Sequence, residues 1–205
     1  LMGNKAATGS ADQHIKTWDL DTGECLMTLA GHVNMIHSIA ITTTDKYGLR
    51  CLSGSYDCTL GVWNLDRGEC THMLHGHTEP VTAVAMSEDG SKGLSGSRDK
   101  SVRVWNLETG KCKATCTGHK KHVTGVKLSG DGTHAMSGSK DGCIRAWDLT
   151  KPVCLRTYKF SNHPIMCVDM AEGLDDSHKL EDLEHVKYQD PNTEDETDGV
   201  PCCQS

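Results

Sequence analysis

Several features that would place a chain in a special class are absent from this sequence. No apolar run approaches 18 residues, so we expect no transmembrane helix, and no secretory signal is visible. No C-x-x-C pair is present to build a zinc site. The formal net charge is −7 and no dense basic stripe occurs, which argues against a nucleic-acid partner. We therefore expect no metal, no cofactor and no membrane or nucleic-acid partner.

Aromatic residues are scarce, at 4% of the chain, so the spacing of the four tryptophans is informative. They are Trp18, Trp63, Trp105 and Trp147, separated by 45, 42 and 42 residues. An Asp precedes each Trp by six positions, and alternating stretches such as TLGVW and SVRVW lie between them. Strict alternation predicts half-buried strands, and a fixed period near 42 predicts one structural unit copied along the chain.

Each copy has room for four short strands. In the third copy we predict strands over 81–86, 92–97, 101–106 and 112–116, with the turn SEDG linking the first two. Four antiparallel strands in about 42 residues are typical of one blade of a β-propeller. The sequence therefore predicts an all-β fold.

Three short motifs recur in register with the tryptophans. GH pairs lie upstream, SGS-x-D turns follow, and W-D or W-N closes each copy over about residues 5–170. In these motifs the chain resembles the WD-repeat family of β-propellers. Asn64 and Asn106 stand where the family usually has its final Asp, which is a minor departure.

The resemblance implies a buried hydrogen-bond set in each blade. The Trp N–H donates to a strand hydroxyl, the hydroxyl contacts the His, and the His contacts the turn Asp. A buried Trp N–H left without an acceptor would cost about 1–3 kcal/mol. Carried over to this chain, the three sets are His32, Ser53, Asp57 and Trp63; His77, Ser95, Asp99 and Trp105; and His119, Ser137, Asp141 and Trp147.

Ser, His and Asp in one cluster also suggest a nucleophilic triad. Here the cluster occurs three times, each time with a Trp, whereas a catalytic site would occur once in a cleft. We therefore expect a protein that is not an enzyme and has no small-molecule substrate.

The number of blades stays open. Three full blades are predicted over 31–75, 76–117 and 118–161, with partial blades over about 5–30 and 162–170. The partial blades fit three arrangements: a piece of a longer propeller chain, two copies forming an eight-bladed ring, or a four-bladed ring closed by a strand at 165–170. An open arc would leave strand edges unprotected.

Residues 171–205 differ in composition from the propeller domain over 1–170. They hold eleven Asp or Glu and only two Lys, which predicts a largely disordered acidic tail with at most a short helix after Ser177. Thr193 precedes three acidic residues and suits an acid-directed kinase. The ending Cys202-Cys203-Gln204-Ser205 partly fits a prenylation box, but Gln204 and the upstream acidic charge argue against it.

Eleven cysteines are present, and four of them recur at one place in the repeat. We expect these four to be small buried residues in a reducing compartment, the cytoplasm or the nucleus. They are Cys25, Cys70, Cys112 and Cys154.

The expected function is a protein-interaction scaffold. In the family, partners meet the narrower face of the propeller, near the residues that precede each turn Asp and follow each GH. The alternative is the repeat region of a larger signalling or ubiquitin-ligase adaptor, although the W-D-x-R sequence used for docking to one ligase is missing. The predicted face contains Tyr56, Arg98, Lys140, Asn34, Met35, Glu79, Lys120, Lys121 and His122, and its basic residues suit an acidic or phosphorylated peptide.

Overall fold

The computed structural model describes residues 4–160 and 162–170. Over these residues it contains fifteen β-strands and no helix, as expected from the short alternating stretches. In chain order the strands are β1 (Lys5–Gly9), β2 (Ile15–Asp19), β3 (Cys25–Leu29), β4 (Ile36–Thr44), β5 (Gly48–Ser55), β6 (Leu60–Asn64), β7 (Glu69–Leu74), β8 (Val81–Met86), β9 (Lys92–Ser97), β10 (Val102–Asn106), β11 (Lys111–Cys116), β12 (Val123–Leu128), β13 (His134–Ser139), β14 (Cys143–Asp148) and β15 (Val153–Lys159).

The strands form four separate antiparallel sheets, each a meander of consecutive strands. Sheet 1 contains β1–β3, sheet 2 contains β4–β7, sheet 3 contains β8–β11 and sheet 4 contains β12–β15. Short turns connect neighbouring strands, so each sheet is built from one continuous stretch of chain: residues 5–29, 36–74, 81–116 and 123–159. The predicted all-β fold with propeller-like sheets is confirmed.

Adjacent sheets share hydrophobic cores. One core joins Ile15 of sheet 1 to Trp63 of sheet 2, and the next joins Leu52 of sheet 2 to Trp105 of sheet 3. A third joins Val104 of sheet 3 to Trp147 of sheet 4. Each of these three Trp side chains therefore packs toward the sheet that precedes it in the chain, with at most 2% of its surface exposed.

A β-bulge recurs beside every Trp, and its extra residue lies on the outermost strand of each sheet, opposite the step into the Trp. The pairing shifts by one residue there, and the Trp lies opposite a Cys on the outermost strand. The four pairs are Trp18 with Cys25, Trp63 with Cys70, Trp105 with Cys112 and Trp147 with Cys154.

The prediction that the four repeated cysteines are buried is wrong. Cys25, Cys70, Cys112 and Cys154 are exposed, because each lies on the edge strand of its sheet, where no further strand covers it. Each Sγ–H contacts a backbone carbonyl two residues on, for example Arg156 O at 3.3 Å from Cys154. The repeat at this position therefore reflects the local bulge rather than a core.

The strand predicted over residues 165–170 does not form. Residues 164–170 have no regular secondary structure, and within residues 4–160 and 162–170 no strand pairs with the outer edge of β1.

The acidic tail, its short helix, Thr193 and the Cys202–Ser205 ending lie outside the described residues. Among the residues described, no helix has the length and apolar character needed to cross a bilayer.

Candidate protein-binding face

Sheets 2, 3 and 4 each hold one of the predicted Trp–Ser–His–Asp sets, with closely similar geometry. In sheet 3 the Trp105 indole N–H donates to Ser95 Oγ at 2.8 Å, and Ser95 Oγ lies 2.7 Å from His77 Nε2. The other ring nitrogen, His77 Nδ1, lies 2.7 Å from Asp99 Oδ2. In the neutral ring Nδ1–H donates to the carboxylate, and Nε2 accepts from the Ser hydroxyl.

The other two sets differ from this one by a few tenths of an ångström. Trp63 and Trp147 donate to Ser53 and Ser137, both at 2.8 Å. The His–Asp contacts are 2.8 Å for His32 with Asp57 and 3.1 Å for His119 with Asp141. All three Ser hydroxyls are fully buried. We propose that these sets stabilise each sheet and carry no reaction.

A fifth hydrogen-bonding residue that the sequence analysis missed completes two of the sets. The hydroxyls of Thr59 and Ser101 donate to Asp57 and Asp99, each at 2.6 Å. Cys143 has the same place in sheet 4 and supplies only its backbone N–H to the carboxylate, at 3.0 Å. The spacing D-x-[TS] after the turn would have identified this residue.

Burial and hydrogen bonding act in opposite directions on the ionisable members. Burial raises the pKa of the Asp99 carboxyl, but hydrogen bonds from His77 and Ser101 outweigh it and hold that pKa well below its usual value. Burial also raises the pKa of Asp141, but the Lys120 N–H, His119 and the Cys143 N–H together outweigh it, and that pKa is lowered as well. Burial lowers the pKa of His119 itself, which favours the neutral ring.

The turns after β5, β9 and β13 lie at the same end of the sheets as the connections that carry the GH pairs. We call this the upper end. Backbone hydrogen bonds hold turn and connection together: the Tyr56 N–H donates to Met35 O at 2.9 Å and the Arg98 N–H to Pro80 O at 3.0 Å. In sheet 4 the Lys140 N–H donates to His122 O at 2.9 Å. Side-chain bonds from Ser55 to Asn34 O, Ser97 to Glu79 O and Ser139 to Lys121 O repeat this arrangement.

Tyr56 and Arg98 contact each other across the boundary between sheets 2 and 3. The Arg98 guanidinium carbon lies 4.5 Å from the centre of the Tyr56 ring, and a guanidinium N–H donates to the phenol oxygen. The His37 ring stacks on the same Tyr, with centroids 5.3 Å apart and planes 12° from parallel. We call His37, Tyr56 and Arg98 the aromatic–arginine stack.

The sequence analysis missed His37 as a member of this stack. The equivalent residues in sheets 3 and 4 are Thr82 and Thr124, so an aromatic ring at this position is a departure from the repeat and could have indicated a special role. His37 Nδ1 lies 2.9 Å from the backbone O of Thr82, which fixes the ring against the neighbouring sheet.

The predicted basic residues fall into two groups. Lys120, Lys121, His122 and Lys140 lie together on sheet 4, and the three Lys are exposed whereas His122 is half-buried. Arg98 belongs to the aromatic–arginine stack beside sheet 3. The Lys120 N–H also donates to Asp141 Oδ2 at 2.8 Å, which joins this loop to the buried set below it.

The opposite, lower end of the sheets carries a cavity of about 390 Å³ beside Tyr47 and Arg67. Its wall includes Arg50, a buried residue whose guanidinium donates to Gly90 O at 2.7 Å and Leu107 O at 2.6 Å. These two bonds join sheet 2 to sheet 3. Arg50 is a fixed structural residue that the sequence analysis did not identify.

Comparison with known proteins agrees with the repeat. The family described as WD domain, G-beta repeat, matches residues 23–64, 68–106 and 110–148, together more than half of the chain. A Lissencephaly-1 homolog of Heterostelium pallidum is 51% identical over 41 residues, which is 20% of this chain and 10% of that protein.

Two proteins named nuclear distribution protein PAC1 give similar short matches. That of Mycosarcoma maydis is 41% identical over 46 residues, 22% of this chain and 10% of its own length. That of Arthroderma benhamiae is 54% identical over 41 residues, 20% of this chain and 9% of its own length. The aligned segment spans about a tenth of the relatives. Since the family model matches three consecutive copies that together cover more than half of the chain, the chain belongs to the WD-repeat family.

Proposed function

We propose that the chain is a non-enzymatic scaffold that binds a protein or peptide partner on its upper end. WD repeats are a protein-interaction family. The single observation that carries the location is the aromatic–arginine stack, which presents Tyr56 and Arg98 side by side at a boundary between two sheets. Tyr and Arg are among the residue types that dominate binding energy at protein interfaces.

Charge favours an acidic or phosphorylated segment as the partner. Arg98 lies on one sheet and Lys120, Lys121 and Lys140 lie on the next, so an extended acidic peptide crossing the boundary would meet cationic groups on both. Guanidinium groups bind carboxylates and phosphates through paired hydrogen bonds. Because the three Lys are exposed and Arg98 is only half-buried, we expect a modest contact that weakens with salt.

Burial supports the absence of catalysis. A Ser nucleophile has to reach its substrate, whereas Ser53, Ser95 and Ser137 have no exposed surface and each accepts a Trp N–H. The three-fold repetition of the set also fits a structural role better than a reaction.

A second candidate is the repeat region of a larger adaptor protein. The short matches to PAC1 and Lissencephaly-1 proteins favour it, because the aligned segment is about a tenth of those proteins.

The thiols favour a reducing compartment, the cytoplasm or nucleus, since the nine cysteines of the described residues are all free.

The test uses the full chain and a fluorescent peptide of residues 189–199, QDPNTEDETDG, with Thr193 either unmodified or phosphorylated. Anisotropy should report saturable binding that is tighter for the phosphorylated form and weaker at high salt. We expect Arg98→Glu and Lys140→Glu to weaken binding by about tenfold each, because each reverses one charge at the interface.

Lys111→Glu is the matched control, because Lys111 begins β11 at the lower end of the sheet that carries Arg98 at its upper end. It makes the same charge change and should leave affinity unaltered. Equal affinity for all four proteins, or binding that is insensitive to salt, would refute the proposed face.

A further inference from the structure

The two ends of the series of sheets are incomplete in complementary ways. Sheets 2, 3 and 4 each begin with a strand, β4, β8 or β12, that lies against the preceding sheet. Within residues 4–160 and 162–170, sheet 1 has three strands and none of them occupies this first position. At the other end, the segment 162–170 follows sheet 4 and belongs to no sheet of the described residues.

Residues 165–170 lie on sheet 4 as a first strand lies on the sheet before it. A Cβ built on Gly138 of sheet 4 would be 2.7 Å from Ile165 and 2.8 Å from Val168. The same construction on Gly96 of sheet 3 meets Val123 at 2.4 Å and Val126 at 3.0 Å, and those residues are in β12. The segment 165–170 therefore approaches Gly138 of sheet 4 about as closely as β12 approaches Gly96 of sheet 3, and a side chain larger than Gly would clash at either position.

Hydrogen bonds repeat with the packing. Thr124 Oγ1–H donates to Ile165 O at 2.5 Å, just as Thr82 Oγ1–H donates to Val123 O at 2.5 Å. The Ile165 N–H donates to Ser139 O at 3.0 Å, and Lys127 pairs with Asp169 at 2.9 Å. The segment is thus fixed in the position of a first strand, next to a place where a second strand would pair.

Sheet 1 exposes the apolar face that, in sheets 2 and 3, packs against the preceding sheet. Leu20 follows Trp18 as Leu65 and Leu107 follow their tryptophans, and those two are at most 1% exposed because a preceding sheet covers them. Leu20 is 53% exposed, and Trp18 beside it is only half-buried.

We propose that two copies of the chain join head to tail, with segment 162–170 of one copy completing sheet 1 of the other. Trp18 and Leu20 of the second copy then pack on the outer face of sheet 4 of the first. The same junction formed twice closes a two-fold ring of eight sheets, within the range of known propellers.

The existing register predicts the new pairing. In sheet 3, Val84 of the first strand lies opposite Ser95 of the second. Val168 is the equivalent of Val84, and Thr8 is the equivalent of Ser95, since each accepts its Trp N–H. The junction therefore places Val168 of one copy opposite Thr8 of the other.

A second copy fits the uncovered face better than other parts of the same chain. The three cores of the described residues join sheets 1 and 2, 2 and 3, and 3 and 4, and among these residues none joins sheet 4 to sheet 1. Residues 171–205 are strongly acidic, which suits an apolar Trp–Leu face poorly.

Sedimentation velocity of the full chain in reducing buffer tests the proposal, since reductant removes dimers formed through the exposed cysteines. We expect a species of twice 22.3 kDa that dissociates on dilution. Leu20→Glu should raise the dimer dissociation constant about 10- to 100-fold, and Leu20→Ala should raise it several-fold, because both remove apolar contact from the junction.

Val33→Glu is the matched control, because Val33 is also an exposed apolar residue, at 79%, but lies in a connection at the upper end. It should dimerise like the unaltered chain. Circular dichroism should show that all three variants keep their strands. A chain that stays monomeric up to about 100 µM, a dimer indifferent to both Leu20 substitutions, or a ladder of larger species would each overturn the proposal.

Discussion

Sheets 1 and 3 carry the same Trp motif in different surroundings. The Trp18 indole N–H donates to Thr8 Oγ1 at 2.9 Å, and the Trp105 N–H donates to Ser95 Oγ at 2.8 Å. Yet Trp105 is 1% exposed whereas Trp18 is half-buried. The hydrogen bond is set by two strands of one sheet, but burial of the ring depends on the sheet before it.

The turn Asp shows the same dependence on what precedes the sheet. Asp99 accepts from His77, which lies in the connection leading into sheet 3. Asp12 has an equivalent turn position, but its described contacts are with its own turn, including the His14 N–H at 3.0 Å and the Ser10 hydroxyl. A repeat of this kind therefore acquires part of its stability from the neighbouring copy.

The largest expected difference between sheets 1 and 3 is the loss in the free energy of unfolding when the Trp of each sheet is replaced. Trp105→Ala removes a fully enclosed ring and should lower the free energy of unfolding by about 3–5 kcal/mol. Trp18→Ala removes a ring that is already half in water and should lower it by about 1–2 kcal/mol. Urea denaturation in the Leu20→Glu background measures both in the monomer.

Equal losses for the two substitutions would contradict the interpretation that the preceding sheet supplies most of the burial energy. Without Leu20→Glu, at concentrations where two copies join, the loss at Trp18 should increase toward that at Trp105. This increase would not appear if the outer face of sheet 1 stays in water.

Removing the turn carboxylates should have a smaller effect. Asp99→Ala leaves the buried His77 Nδ1–H without its acceptor and should destabilise the protein by about 1–3 kcal/mol. Asp12→Ala is the matched control at the equivalent exposed turn and should leave the urea midpoint unchanged. A large shift from Asp12→Ala would show that this turn holds sheet 1 together through contacts of its own.

Much of the fold could be predicted from the sequence because the repeat supplies three copies of the same signal. In sheet 3, β8 and β9 begin and end at the predicted residues. The strands β10 and β11 each begin one residue away from the predicted start. Alternation, turn residues and Trp spacing agree in this region, so local and long-range preferences coincide.

The errors arose where a residue's environment depends on another sheet or on a sheet edge. A recurring Cys indicates a recurring position, but the sequence does not reveal that this position is on an edge strand. Residues 165–170 have the apolar pattern of a strand, yet a strand is assigned by its partner, and the described residues supply none. Similarly, the stacking of His37 in β4 on Tyr56 in the turn after β5 depends on how two separate segments of sheet 2 meet in the folded protein.

The smallest expected effect comes from one atom: sheet 4 has a thiol sulfur where sheets 2 and 3 have a hydroxyl oxygen that donates to the turn carboxylate. Thr59 and Ser101 donate a hydroxyl to the turn carboxylate at 2.6 Å, whereas the Cys143 thiol lies 3.9 Å from the backbone O of Asp141. A thiol is a weak donor and a hydroxyl is a strong one. Cys143→Ser should therefore add the missing hydrogen bond and stabilise the protein by about 0.5 kcal/mol.

The reciprocal change sharpens this prediction. Ser101→Cys removes the same bond from sheet 3 and should destabilise the protein by at least as much, because Ser101 is buried and Cys143 is only half-buried. Cys154→Ser makes the same chemical change on the exposed edge strand β15, where water competes for the hydroxyl, and should shift the urea midpoint less than Cys143→Ser does. If Cys143→Ser and Cys154→Ser shift the midpoint equally, the gain comes from removing a thiol, and the hydroxyl contributes nothing to the Asp141 set.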